Sequence, residues 1–398
     1  MSDPVPGARA DIDPDFFGYR ALLDDDETKT LRDLRDWLET HVDPIADDYW
    51  ARAEFPLDLI PKLAELDIMG VGLDLPDRPA RRRLLSGFIG LELARIDASF
   101  ATFYGVHSGL AMGTIFHCGS DEQRERWLPA MRRLELIGAF ALTEPHGGSD
   151  VAGGLETTAR RDGDEWVIDG AKRWIGNGTF ADLIVVWARD VADDQVKGFV
   201  VEKDMPGFGA AKMENKLALR GTQKAVLTFS GVRVPEANRL QNANSFEDTN
   251  TVLRSTRGSV AWSAVGVMTG IYEVAVQYAK DRQQFGRPIG AFQLVQKHLA
   301  DILGNLTAAM GVAVRGAQLQ DEGTFVDEQG ALAKALCTVK LRESAAAARE
   351  LMGGNGILLE YGLARRFNDA EALYSYEGTR EINTLIVGRA ITGESAFT

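Results

Sequence analysis

Residues 183–187, LIVVW, form a short run of branched and aromatic apolar side chains with no helical spacing. Such a run reads as a β-strand. Its companions are Trp166-Val167-Ile168, Phe199-Val200-Val201 and Val226-Leu227-Thr228-Phe229, with Asp162-Gly163 and Asp169-Gly170 as turns between them. Together they predict a small antiparallel β domain beginning near residue 138 and ending near Pro235. Outward on both sides the period becomes helical. Leu31, Leu34, Leu38 and Val42 fall at three- and four-residue steps, and further helices fit 57–66, 82–94 and 123–134. Beyond the strands, Val260, Ala264, Val267, Ile271, Val274 and Tyr278 share one stripe, and long helices fit 294–319 and 330–352. Runs of one type followed by runs of another predict segregated domains, an α+β fold. The expected division is an N-terminal helical domain over 1–137, a β-sandwich or barrel domain over 138–245 and a helical bundle over 246–398. The Asn-, Ser- and Asp-rich stretch at 236–250 reads as the linker.

At 398 residues, with 45% apolar and 26% charged residues, the chain can bury a large core. Its net charge of -14 argues against nonspecific nucleic-acid binding. Cys118 and Cys337 lie far apart without CxxC spacing, so neither a disulfide framework nor a zinc site is expected. His107, His117, His146 and His298 show no metal spacing either, and a structural role is expected for each. The N-terminus is acidic and polar, unlike a secretory or mitochondrial leader, and no uninterrupted apolar run is long enough to span a bilayer. A soluble, cytoplasmic protein without membrane insertion is the expectation.

Four segments carry chemistry: YSYEGTR (374–380), FALTEPHGGSD (140–150), DRQQFGRPIGAFQ (281–293) and LMGGNGI (351–357). In the first, Glu377 stands beside a glycine at the mouth of a helix. A half-buried carboxylate there suits removal of a proton next to a carbonyl, and helix capping fits equally well. In the second, Gly147-Gly148 lets backbone N–H groups approach an anionic or heteroaromatic ligand, or simply makes a tight turn. Trp174, ahead of Gly176-Asn177-Gly178, can lie against a flat cofactor or fill a β core. In the third, Arg282 and Arg287 flank Phe285-Gly286 and offer two-point contact with phosphate, or an ordinary solvated helix end. In the fourth, Gly353-Gly354 can stop a helix or bare the backbone to a pyrophosphate. Neither GxxxxGK[ST] nor a strand-linked GxGxxG is present, which leaves P-loop and Rossmann nucleotide binding unsupported.

In this order, on a helix–sheet–helix plan, the segments resemble the acyl-CoA dehydrogenase family from about Leu31 to Phe397. GSDEQRERWLPAM (119–131), QLVQKHLADIL (293–303) and VGRAITGESAF (387–397) are similar to its glutaryl-CoA dehydrogenase-like branch. The resemblance implies a C-terminal four-helix bundle, noncovalent FAD and an acyl-CoA substrate. It further implies a homotetramer, an electron-transferring flavoprotein as acceptor and a place in fatty acid metabolism. Position by position, it implies that Phe140, Leu142 and Thr143 face the flavin, with Trp174 and Gly176 against its ring. Ser149 sits near the FAD pyrophosphate and the CoA. Arg282, Phe285 and Gln293 reach the FAD of a neighbouring subunit, and Glu350, Gly353 and Gly354 lie by its pyrophosphate and adenosine half. Thr379 and Glu381 contact FAD from the loop that bears the base, Glu377. Ala101, Tyr104, Arg257, Tyr376, Gly378 and Ser149 meet the substrate. In some relatives the base sits on another helix; the matching position here is Thr256, which cannot serve.

Two effects compete over Glu377. A helix N-terminus after Gly378 lowers its pKa, and burial raises it; burial is expected to win. Two departures from the family pattern carry expectations. The glutaryl enzymes hold the distal carboxylate with a Glu and an Arg, where this chain has Ala94 and Ala101. Poor use of glutaryl-CoA, no decarboxylation, and an uncharged short or medium acyl chain over an apolar floor (Ala101, Phe103, Tyr104) are therefore expected. Many relatives read W-I-T-N where this chain has Trp174-Ile175-Gly176-Asn177, so the flavin's oxygen reactivity is open. An oxidase, a glutaryl-CoA dehydrogenase, a non-catalytic acyl-CoA or flavin binder and a carrier-protein thioester enzyme are the alternatives.

Overall fold

A computed structural model describes residues 13–396. The polar N-terminus read above, residues 1–12, and the end of the resemblance at Phe397 lie outside the described residues. The N-terminal helices are α1 (Asp25–His41), α2 (Ala46–Arg52), α3 (Ile60–Ala64), α4 (Arg83–Ile96), α5 (Ala98–Tyr104), α6 (Met112–Cys118) and α7 (Asp121–Arg132). The stripe Leu31, Leu34, Leu38 and Val42 is buried. Asp24 and Glu27 close a reciprocal cap on α1, satisfying two N-terminal N–H groups. The helix expected over 57–66 is shorter, a 3-10 turn at Leu57–Leu59 followed by α3.

Residues 98–118 form a rod that no periodicity announced: α5, a π-helical turn Gly105–Ala111, then α6. It is buried on most sides, and Ala, Gly, Ser and Thr supply 10 of its 21 residues, so it shows no apolar stripe. Asp97 starts it by accepting from the Ser99 and Phe100 N–H groups at 2.7 and 2.9 Å. His107 joins it to the sheet. Its Nε2 lies 2.9 Å from the Met131 carbonyl and its Nδ1 accepts from the Gly138 N–H. The ring is therefore neutral, and burial pushes its pKa down to about 4.

The strands are β1 (Gly138–Ala141), β2 (Thr158–Asp162), β3 (Glu165–Ile175), β4 (Leu183–Asp190), β5 (Val196–Glu202), β6 (Phe208–Lys212) and β7 (Ala225–Pro235). Their order is β1-β4-β2-β3-β7-β6, with β5 also on β4. Most pairs are antiparallel as expected, but β1 and β2 both run parallel to β4. Ile184, Val186 and Ala188 enter the sheet's own core, while Leu183, Val185 and Trp187 enter the core shared with the helices. Both faces of β4 are buried, which is why LIVVW has no polar alternation. Asp162-Gly163 does turn the chain between β2 and β3. Asp169-Gly170 does not: it is a bulge inside β3, where a Cβ on Gly170 (φ +146°) would stand 2.7 Å from the Thr157 backbone.

The last helices are α8 (Phe246–Asp281), α9 (Gln293–Asp321), α10 (Asp327–Leu351), α11 (Leu363–Ser375) and α12 (Arg380–Thr392). The linker ends earlier than composition suggested, because Ser245 and Asp248 cap α8. By length and composition α8 could cross a membrane, but 72% of its apolar window is buried inside the protein. α11 is pinned to both other regions. Arg365 pairs with Asp47 and Asp97, and Asp369 accepts from Trp50 Nε1 (2.9 Å) and the Leu219 N–H (2.6 Å). The residues that follow α11 are therefore held against the β domain and the rod.

Candidate active site

Glu377 stands between α11 and α12 with φ +57°, followed by Gly378 at φ +77°. Two successive left-handed residues reverse the chain, and a glutamate in that conformation is costly unless its surroundings hold it. Lys334 of α10 does much of the holding. Its fully buried ammonium donates to the Tyr374 and Gly378 carbonyls, both at 2.8 Å. Asn383 Nδ2 donates to the Gly378 carbonyl at 2.9 Å, and the Thr379 hydroxyl caps α12 through the Ile382 N–H.

The Glu377 carboxylate points to α8, where Thr256 Oγ1 donates to Oε1 at 2.5 Å. Burial raises its pKa, as expected, and this outweighs the lowering by the Thr256 hydroxyl, Arg257, Lys334 and Lys224. The cations are themselves strained by burial. Lys334 and Lys224 are both pushed down to about 8. Lys224 also lies 5.8 Å over the Tyr376 ring. The Glu377 N–H has no acceptor among the described residues, so it is available to a substrate oxygen.

Next to Thr256 a cleft, partly open to solvent, runs between α4, α8, the rod and the loop at 70–73. Ala101 and Tyr104 line it as expected, and so do Gly105, Gly109 and Gly113 of the rod. A Cβ on Gly105 or Gly113 would meet nothing within 4 Å, so these glycines keep space open. The expected apolar floor is found only in part, with Val71, Leu73 and Trp262 beside Ala101 and Tyr104. Phe103 turns away into a ring cluster with Phe55, His107 and Phe180. The wall also carries Arg83, Gln320 and the hydroxyls of Ser86, Ser108, Ser255, Ser259 and Ser263. Arg257 pairs with Asp327 and does not line the cleft.

The remaining sequence-derived positions fall into two groups. Phe140 and Leu142 are buried beside Thr143 at the end of β1, and Ser149 is exposed in the following loop. Trp174, in the left-handed region at φ +66°, leaves half its surface open. A buried pair, Lys172–Glu144 at 2.8 Å, ties this loop to β3; Lys172 also donates to the Leu142 carbonyl, and Glu144 accepts from the Glu156 and Thr157 N–H groups. Thr379 and Glu381 flank the base turn. The second group, Arg282, Phe285, Gln293, Glu350, Gly353 and Gly354, is exposed at the other end of the bundle. Tyr278 holds that end together, accepting from Asn355 Nδ2 at 3.0 Å. Lys334 and Glu350 lie about 24 Å apart along α10 at 1.5 Å per residue. Phe285 is 92% exposed and Gly353-Gly354 present bare backbone.

Three family models match in sequence: the acyl-CoA dehydrogenase N-terminal domain over 24–135, the middle domain over 139–232 and the C-terminal domain over 246–392. The chain belongs to the acyl-CoA dehydrogenase family. An acyl-CoA dehydrogenase of Bacillus subtilis (strain 168) is 33% identical, covering 90% of this chain and 96% of its own. The crystal structure of glutaryl-CoA dehydrogenase from Mycobacterium smegmatis superposes with a TM-score of 0.92 at 36% identity, covering 98% of this chain and 100% of that one. A glutaryl-CoA dehydrogenase from the same organism, solved in complex with FADH2, superposes with a TM-score of 0.92 at 34% identity, covering 96% and 98%.

As an acyl-CoA dehydrogenase the protein is an FAD-dependent oxidoreductase, and its residues fit the cofactor. Trp174 leaves half its surface open, Thr143 and Ser149 offer hydroxyls, and Gly353-Gly354 offers exposed backbone without side chains. Both departures sit at close packing contacts in this acyl-CoA dehydrogenase. A Cβ on Gly266 of α8 would stand 2.8 Å from Ala94 Cβ, so α4 and α8 pack closely at Ala94. A Cβ at Gly176 would stand 2.8 Å from Val106 Cγ2, so Val106 fills the space a threonine would take. Sequence reasoning missed Lys334, Lys224, the Lys172–Glu144 pair and Arg83. A lone basic residue in a helix or strand carries no local mark of being buried.

Proposed function

We propose that the protein removes the α proton and β hydride of a short- or medium-chain acyl-CoA, giving the 2-enoyl-CoA, with Glu377 as the base. The observation that carries this is the Glu377 carboxylate, held by Thr256, which itself lines the adjoining cleft. FAD, when bound, supplies the hydride acceptor. The C–H beside a thioester is a very weak acid, so the developing oxyanion needs donors. The free Glu377 N–H stands one residue from Gly378 and is aimed by the Lys334 and Asn383 clamp. The raised pKa makes the carboxylate a stronger base, and Thr256 with the nearby cations keeps enough of it ionised. Arg282, Phe285, Gln293, Glu350, Gly353 and Gly354 lie far from this base, which supports their use on a neighbouring subunit's FAD in a homotetramer. Electrons then pass to an electron-transferring flavoprotein in the cytoplasm.

Purified protein is expected to be yellow and to bleach anaerobically on adding an acyl-CoA. Glu377→Gln is expected to keep the colour and lose the bleaching. Colour without bleaching across a broad acyl panel overturns the reading in favour of a non-catalytic binder. Gly176 favours one second reading, an oxidase, because the hydroxyl common at that position is missing. Hydrogen peroxide formed in air in equal amount to enoyl-CoA decides for it.

A further inference from the structure

The cleft beside Glu377 contains a cation that the dehydrogenation chemistry does not use. Arg83, in the first turn of α4, lines it, and its guanidinium lies over Gly72: a Cβ there would stand 3.0 Å from Nη1. Among the described residues its guanidinium makes no hydrogen bond and no ion pair. The one carboxylate that acts on its charge is Asp321, but its two oxygens face the Arg83 and Leu84 N–H groups at 2.6 and 3.3 Å, capping α4. Asp321 therefore reaches the guanidinium only through space. Burial lowers the Arg83 pKa, yet arginine stays charged, so the cation bears a desolvation cost with no bonded partner.

Two hydroxyls complete a donor set on the same wall. Tyr104 OH is in long contact with Ser86 Oγ at 3.5 Å and also meets the Ser108 side chain, and all three line the cleft. A planar guanidinium with a phenol and an alcohol around it matches a carboxylate, which accepts at both oxygens. The positions where the glutaryl enzymes hold such a group are Ala94, packed on α8 away from the cleft, and Ala101, which has no charge. Any carboxylate subsite here is therefore built from different residues.

We propose that Arg83, with Tyr104 and Ser86, binds a carboxylate at the far end of the acyl chain, so that the preferred substrate is an ω-carboxyacyl-CoA. This rests on the dehydrogenase reading of the cleft and names its substrate class. The rigid fork pairs with the carboxylate once water has left the cleft, and an alkyl end leaves the guanidinium unpaired. A site built to bond a polar group rejects the analogue lacking it strongly.

The test compares matched thioesters, glutaryl- and adipyl-CoA against pentanoyl- and hexanoyl-CoA, with the holoenzyme, an artificial electron acceptor and anaerobic bleaching. Wild type is expected to favour the ω-carboxylates by about tenfold or more in kcat/KM. Arg83→Met is expected to lose that preference while its rate on the alkyl thioesters stays within about threefold, and Arg83→Lys to fall between, because lysine keeps charge without the fork. An alkyl preference in wild type, or one unchanged in Arg83→Met, overturns the proposal while leaving the dehydrogenase intact. If Arg83→Met does not fold, the wild-type ratio and Arg83→Lys decide it. Should no thioester bleach the flavin, the dehydrogenase reading falls and this proposal falls with it.

Discussion

Thr256 Oγ1 donates a 2.5 Å hydrogen bond to the Glu377 carboxylate across 121 positions of sequence. α8 thus reaches the proposed base as a hydrogen-bond donor. The bond stabilises the ionised form and offsets part of the burial that pushes the Glu377 pKa up.

Thr256→Val keeps the shape and removes the donor. A hydrogen bond to a charged group contributes about 1.5–3 kcal/mol, and one pKa unit is about 1.4 kcal/mol. The acid limb of kcat against pH is therefore expected to move up by about one to two units, with flavin content unchanged. An unmoved limb separates Thr256 from the base.

Glu377→Gln is expected to lower kcat by about 10²–10⁴-fold, the usual contribution of general base catalysis. Its effect on stability has the opposite sign. A carboxylate whose folded pKa is raised binds its proton more tightly folded than unfolded. Its share of stability is therefore full below the ordinary value of 4.5 and is lost as pH rises through the raised one. Above that window the amide carries no such penalty, so Glu377→Gln is expected to melt higher than wild type near neutral pH. Differential scanning calorimetry at two pH values measures it, and a lower melting temperature at both refutes the burial account.

Lys334→Met removes the clamp on the base turn. The Tyr374 carbonyl loses its Lys334 donor, and the Gly378 carbonyl keeps only Asn383. An unsatisfied buried group costs about 1–3 kcal/mol, so a drop of that order in denaturant-derived stability is expected, with kcat falling more than KM rises. Retention of full kcat assigns Lys334 to folding alone.

Gly105→Leu projects into the cleft, because nothing stands within 4 Å of an added Cβ. Each methylene that no longer fits costs about 10–200-fold in discrimination. The variant is expected to lose medium-chain thioesters and retain the shortest ones, read as kcat/KM across a chain-length series. A uniform loss at every length places the cleft elsewhere than the acyl path.

Gly176→Thr brings in the threonine that the family resemblance leads one to expect, but its Cβ meets Val106 Cγ2, a stiff branched side chain, at 2.8 Å. Overpacking of this kind costs about 1–3 kcal/mol. Val106→Ala is expected to relieve it, so the double variant should melt higher than Gly176→Thr alone. Additive effects in the cycle show that the two side chains do not compete.

The sequence by itself determined the three-part plan, the strand at LIVVW and the carboxylate proposed as the base. Each rests on a local pattern: apolar spacing, turn residues, and a carboxylate beside a glycine in a motif that a resemblance could anchor. Even so, Asp169-Gly170 became a bulge and the 98–118 rod went unread, because burial on several sides leaves no stripe. Tertiary structure alone decided what surrounds Glu377 and what lines the cleft. Thr256, Lys334, Lys224 and Arg83 come from separate elements, and none bears a local sign of its partner. A pKa, a clamp or an unpaired cation is set by which groups fold to within a few ångströms and by how much water they exclude. Those quantities exist only once distant segments have packed together.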